Sequence, residues 1–391
     1  WREAGMAAQS RGHATLPDIT DVLPVSDGRR AWVVDNDHHR LALMDLEKVA
    51  PSVVGAEGEA LGQFQHPFKL ALGKGGDLLV VDVINARVQV LTAEGRPAGS
   101  IGGYGAELGQ LYRPTAVATD REGNVWIADA VLGVIQVFTP LGGWRDVLRD
   151  ESGAPLKFEM PMDLAFDAKG DLYVVELLAD RVRKFAVTFD PQAPKPPAAP
   201  QPRATVGGTE GRSCTVCHLE WLEPFNRGEG TALLNAPPSS ADQPAVSRST
   251  VCLSCHNGVV VDSRRRVWQE HGHATDVLPP PGMTVPPVLP LVNGRVVCRT
   301  CHTAHTGGVL TGGIKTSVFL RVTGQAGELC ILCHGDKTRG PELGTHPTGG
   351  MPWPVPQAIL DSGGRMGPNP RELTCRVCHT PHGSAHDHLL V

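Results

Sequence analysis

No cysteine occurs before Cys214, and aromatic residues make up only 5% of the chain. The first absence removes disulfides and thiol chemistry from more than half of the molecule. The second means that any core must be built chiefly from other material. No run of 18 or more apolar residues occurs, so no helical membrane span is expected. A large positive charge is also missing: the formal net charge is -5, which gives no reason to expect nucleic acid as a partner. The chain begins at Trp1 rather than at a methionine, and a removed signal peptide or an omitted start is expected.

What is present points to a folded chain of more than one domain. It has 391 residues, 41% hydrophobic and 20% charged. All ten cysteines lie between Cys214 and Cys378. Composition changes where the stretch from Asp190 to Arg203 reads DPQAPKPPAAPQPR, a Pro/Ala linker of extended character. The expected domains are therefore 1–189, a linker at 190–210, and 211–391.

Before the linker the chain repeats. Segments starting at Trp32, Leu79, Trp126 and Tyr173 align without gaps, each 47 residues after the last. Pro67, Pro114 and Pro161 keep the same spacing, as do Gly62-Gln63 and Gly109-Gln110. In each unit a short apolar run ends on an acidic residue (Asp35, Asp82, Asp129, Glu176), followed by a turn and an alternating segment such as Arg87–Leu91. Short strands, Gly-rich turns and a fixed period of this size predict all-β, propeller-like blades, four of them. The unit resembles the NHL repeat, on the match of Gly62-Gln63-Phe64…Pro67 and of Asp37-His38-His39-Arg40-Leu41. Four units would make either a small closed ring or an array whose sheet edges something else covers. His38, His39 and His66 fall within the repeat pattern and are expected in blade turns rather than as ligands.

After the linker, Cys-x-x-Cys-His occurs five times and uses every cysteine. The motifs are Cys214, Cys217 and His218; Cys252, Cys255 and His256; Cys298, Cys301 and His302; Cys330, Cys333 and His334; and Cys375, Cys378 and His379. Two thiols at this spacing can form thioethers to the two vinyl groups on one edge of a porphyrin. The adjacent histidine then reaches the iron as proximal ligand. Cys-x-x-Cys also serves zinc hairpins and redox dithiols. A histidine after all five pairs selects covalent haem c, and five haems are expected.

Residues 252–307 and 330–383 look like two copies of one unit, with paired motifs 46 and 45 residues apart. The arrangement is similar to the doubled-CXXCH multihaem cytochrome family. In that family the mid-repeat histidine and the one three residues past the second motif serve as distal ligands. Position by position, the resemblance implies His273, His305, His346 and His382. His273 is followed by Ala274 where the family has His-Pro, so His271 stands as its alternative. For the fifth iron His386 is the candidate, beside His271, His388, His13 or a histidine of another subunit. Methionines are few in this half, so bis-histidine iron of low potential is expected.

The stretch from Thr205 to Val391 is short for five haems, so little regular secondary structure is expected beyond short helices carrying the motifs. The Pro-rich segment 278–290 reads as a surface strap. The expected work is electron transfer between donor and acceptor proteins, through closely packed bis-histidine haems. Self-assembly into a filament, or membership of a larger respiratory complex through the propeller and the haem domain, fits the same features. The competing expectation is a multihaem oxidoreductase of the nitrite or hydroxylamine type, which needs one iron with an open position. Covalent haem attachment takes place outside the energy-conserving membrane, so a periplasmic or extracellular location is expected.

Overall fold

Each of the 47-residue units folds into one antiparallel sheet with strands in sequence order. The first sheet is β1 (Ile19–Pro24), β2 (Arg30–Asp35), β3 (Arg40–Asp45) and β4 (Ser52–Val54). The second is β5 (Pro67–Leu72), β6 (Leu78–Asp82), β7 (Arg87–Leu91) and β8 (Pro97–Gly102). The third is β9 (Pro114–Thr119), β10 (Val125–Asp129), β11 (Val134–Phe138) and β12 (Trp144–Val147). The fourth has three strands among the described residues, β13 (Pro161–Phe166), β14 (Leu172–Glu176) and β15 (Arg181–Phe185). Their first strands pack in succession, β1 on β5, β5 on β9 and β9 on β13. This is a four-bladed β-propeller region.

The structure is a computed structural model. It describes residues 18–45, 50–189, 249–260, 273, 275, 277–302, 310–311, 314–315, 320–322, 327–338, 349–350, 354–362, 364–366, 371–380 and 390. The chain divides into two compact units, Trp1–Pro238 and Ser239–Val391. The expected linker at 190–210 lies outside the described residues.

Cores form between facing blades. Trp32, Val34 and Leu41 of the first blade pack on Leu70, Leu78, Val80 and Leu91 of the second, with Phe64 from the connecting loop. Ala116, Trp126, Ile135 and Val137 of the third blade meet Leu164, Leu172 and Val174 of the fourth, with Phe158 from the loop between them. Period-2 alternation puts these residues on one face of each sheet. Aliphatic side chains supply most of both cores, and each buried Leu or Val contributes about 1.5–3 kcal/mol.

The acidic residue that ends each second strand is the polar hub of its blade. The Asp82 carboxylate accepts from the Gln65 backbone N–H (2.7 Å), the Asn85 amide (2.9 Å), Arg87 Nε (2.8 Å) and Gln89 Nε2 (3.0 Å). Asp35 accepts from Arg40 Nε at 2.8 Å, and Glu176 from Arg181 Nε at 2.9 Å. These are the arginines of the repeat signature. The third blade has Val134 at that position. There Asp129 is satisfied by the backbone N–H groups of Tyr112 (2.6 Å), Arg113 (2.9 Å) and Leu132 (2.9 Å). The repeated glutamines also gain a role. Gln89 accepts from Gly62 N–H (2.9 Å) and donates to Gln63 O (2.5 Å); Gln136 does the same with Gly109 (2.8 Å) and Gln110 (2.6 Å).

The turn after each hub needs a left-handed residue. His39 (φ 55°), Ala86 (53°), Gly133 (64°) and Asp180 (47°) occupy equivalent places. Only Gly133 takes that conformation without cost. His38 lies in the first of these turns against Asp35 (2.9 Å), and His66 lies immediately before β5 against the Asn36 side-chain carbonyl (2.9 Å). His39 stacks edge-on against His66 with centroids 4.5 Å apart.

In the second unit the described helices are short: α1 (Ser249–His256), α2 (Cys298–Cys301), α3 (Glu328–His334), α4 (Gln357–Asp361) and α5 (Cys375–Cys378). Four of these five carry a Cys-x-x-Cys-His motif. Residues 278–290 form turns and extended chain, exposed for the most part, with Leu289 buried.

Candidate functional site

The candidate site is built from α1, α2, α3 and α5. In each, two cysteines three residues apart share one helical face, because i and i+3 are neighbours on a helix. The histidine ends the turn. After α2 and α5 the backbone becomes extended at His302 and His379, and each histidine donates its N–H to the first cysteine's carbonyl, at 3.0 and 2.9 Å. Among the described residues, none of the eight cysteines is in a disulfide. The fifth motif, at Cys214, Cys217 and His218, lies outside the described residues.

Local sequence secures each motif. Thr300, between the two cysteines of α2, is buried; its hydroxyl accepts from the Val297 N–H (3.0 Å) and donates to Pro290 O (2.9 Å). Arg321 latches the same turn through Arg299 O (2.8 Å) and Cys301 O (2.9 Å). At α5 the Arg365 N–H bonds to Arg376 O at 2.8 Å. Gly327 precedes α3 at φ 83°, and a Cβ there would stand 2.8 Å from Cys375 Sγ. Thr300, Arg321 and Gly327 carry no motif signal; Gly327 alone could be suspected, as a glycine next to a helix start.

The two duplicated segments share backbone pairings. Val277 bridges to Val296, two residues before Cys298. Gly349–Gly350 pairs with Glu372–Leu373, immediately before Thr374 and Cys375. His302 bridges to Leu320, and His379 to Leu390.

The thiols of different motifs converge. Cys330 hydrogen-bonds to Cys375, which lowers the Cys375 thiol and pushes Cys330 up. Burial raises the Cys301 thiol, and Cys333 nearby adds to the effect. Motifs at α2, α3 and α5 therefore lie side by side. Burial pushes His256 and His334 below the usual imidazole range, with His273 reinforcing the shift at His334. The neutral imidazole is the form that ligates a metal.

Of the expected distal histidines, only His273 is described. It is exposed, and its ring stands 6.4 Å from that of His334, centroid to centroid, at 82°. His305, His346, His382 and His386, with the alternatives His271 and His388, lie outside the described residues. No group of three or more His, Cys, Asp or Glu side chains gathers as a metal-ion site among the described residues. The donor set fits haem c: disulfide-free cysteine pairs on one face, each followed by an imidazole.

No family model matches the chain. It is 25% identical over 178 residues to the multihaem cytochrome MtrA of Shewanella baltica, across 45% of this chain and 38% of that protein. The chain thus spans about two fifths of that relative's length. Among solved structures, a streptogramin B lyase aligns at TM-score 0.31 and 13% identity, over 44% of this chain and 55% of that one. The WD40 propeller domain of Doa1 aligns at TM-score 0.33 and 12% identity, over 43% and 50%. The propeller assignment rests on the strand pairing itself and not on these likenesses. Among the described residues, no helix is long and apolar enough to cross a membrane.

Proposed function

We propose that this chain is a multihaem c-type cytochrome of the doubled-CXXCH kind that relays electrons through five haems. The observation that carries the reading is the recurrence of one local form. Four separate Cys-x-x-Cys-His segments each place two thiols, outside any disulfide, on one helical face and an imidazole at its end. The sequence similarity to a multihaem cytochrome and the paired bridges in residues 252–307 and 330–383 support it.

Cys214 and Cys217, Cys252 and Cys255, Cys298 and Cys301, Cys330 and Cys333, and Cys375 and Cys378 would hold the five groups covalently. His218, His256, His302, His334 and His379 would be proximal ligands. His273, His305, His346, His382 and His386 are the distal candidates. When bound, haem supplies reversible one-electron iron chemistry. The chain's own contribution is to fix spacing and ligand identity. The gathering of Cys301, Cys330, Cys333 and Cys375 supports attachment points close enough for direct hopping. The NHL-like propeller would serve as a docking or assembly platform for donor and acceptor proteins, in the periplasm or outside the cell.

Intact mass after expression with a c-haem maturation system tests the reading. The expected mass is the polypeptide plus five haems, and Cys252→Ala with Cys255→Ala removes one. A chain that accumulates with zinc and no haem overturns it. Carbon monoxide added to the reduced protein is expected to leave every Soret band in place, because histidines saturate the irons. A shifted band would favour the oxidoreductase alternative.

A further inference from the structure

His273 and His334 belong to different copies of the duplicated segment and lie far apart in sequence. Their rings are 6.4 Å apart at 82°. The same chain shows what direct contact between two imidazoles at that angle looks like. His39 and His66 meet edge to face at 88° with centroids 4.5 Å apart. The His273–His334 separation is clearly longer, so those rings do not touch in that way.

The longer separation has a simple chemical meaning. An imidazole nitrogen binds a first-row transition ion at about 2.0–2.1 Å, and the ring centroid lies about 1.2 Å behind it, so two imidazoles on opposite sides of one ion have centroids about 6.4–6.6 Å apart. The observed distance falls in that range.

We infer that His273 and His334 are the two axial ligands of one haem iron, so that the distal ligand of the fourth haem comes from the first copy of the duplicated segment. This rests on the haem reading above. It adds the pairing: His273 serves neither of the irons attached through its own copy, at His256 or His302. The iron thereby closes a loop of chain between the copies and makes them one folding unit. The near-perpendicular rings also specify the electronic signature. Crossed axial imidazoles leave the two iron dπ orbitals almost degenerate, which gives a strongly anisotropic low-spin ferric EPR signal.

The test uses the full chain matured with its haems and counted by intact mass. His273→Ala is expected to convert one haem per chain to the five-coordinate high-spin form and to abolish one strongly anisotropic signal, with haem count unchanged. The same substitution is then made in a chain lacking the fourth attachment motif (Cys330→Ala, Cys333→Ala, His334→Ala). There it is expected to create no additional high-spin haem. A new high-spin haem in that background would assign His273 to another iron and overturn the pairing. So would an unchanged spectrum for His273→Ala in the otherwise native chain. If the motif-deleted chain fails to accumulate, His273→Met and His334→Met decide the matter. Both should raise the potential of the same haem and remove the same signal, and loss of two different signals refutes the pair. A native chain with no haem by mass is a separate result, and it removes the haem reading itself.

Discussion

The Cys330 thiol hydrogen-bonds to the sulfur of Cys375, joining the first cysteines of two attachment motifs that are 45 residues apart. The contact favours the thiolate at Cys375 and the thiol at Cys330. A low thiol value means a larger thiolate fraction and faster disulfide exchange at neutral pH. In chain produced without haem, mild oxidation is expected to form the Cys330–Cys375 disulfide ahead of Cys330–Cys333. Peptide mapping of the oxidised protein checks this, and a dominant Cys330–Cys333 bond would contradict it.

Gly327 is expected to be intolerant of a side chain for two independent reasons. Its φ is 83°, and an added Cβ would lie 2.8 Å from Cys375 Sγ. The left-handed conformation alone costs about 1–2 kcal/mol for a residue with a Cβ. Gly335, at the other end of the same helix, has φ −61° and open space around it. Gly327→Ala should lower the thermal midpoint of the C-terminal half, while Gly335→Ala leaves it unchanged. Equal effects at both sites would refute the contact.

Burial decides which ion pairs of the propeller matter. Asp82 is fully buried and accepts four hydrogen bonds, including one from Arg87. Asp82→Ala takes the acceptor from the Gln65 N–H and from Arg87 Nε, leaving the guanidinium charge uncompensated there, and is expected to cost about 3–5 kcal/mol. Lys69 lies 2.9 Å from Asp163, but that carboxylate is 47% exposed. Lys69→Ala is expected to cost at most about 1 kcal/mol, less at high salt. Denaturant unfolding followed by far-UV circular dichroism measures both.

His66 gives the propeller a pH dependence of defined sign. Its imidazole is half-buried, and burial, with His39 beside it, pushes its value below the ordinary one. The folded state therefore binds fewer protons than the unfolded chain in that range. The stabilising contribution is present above the unfolded value and lost as pH falls through the folded one. Wild-type protein should lose more stability between pH 7 and pH 5 than His66→Asn, where asparagine tolerates the left-handed φ of 56°. An identical pH slope in the two proteins would rule out His66 as the source.

Much of this molecule was legible in the sequence, because both halves are written in fixed local spacings. A period of 47 residues announced the blades, and the repeated Cys-x-x-Cys-His spacing announced the short motif-bearing helices. The three-stranded fourth blade and the Arg-to-Val exchange at 134 vary that pattern without breaking it. The meeting of Cys330 with Cys375 and of His273 with His334 left no such trace. The motif spacing pairs Cys330 with Cys375 in sequence but does not say that their thiols meet, and no spacing relates His273 to His334. Thr300 was similarly hidden, as one of two unconstrained positions inside a motif, although its hydroxyl holds the turn together.

The Lys69–Asp163 pair has a consequence beyond its small energy. Val22, Lys69, Ala116 and Asp163 stand at the same place in the four blades. The bond runs from the second blade to the fourth. Repeats of equal length are prone to docking out of order while a chain folds. Here the residues at one shared position are apolar, basic, small and acidic in turn, so a blade docked one place early or late sets Lys69 against the wrong neighbour. A position that differs in every repeat gives each blade a label that the shared residues do not.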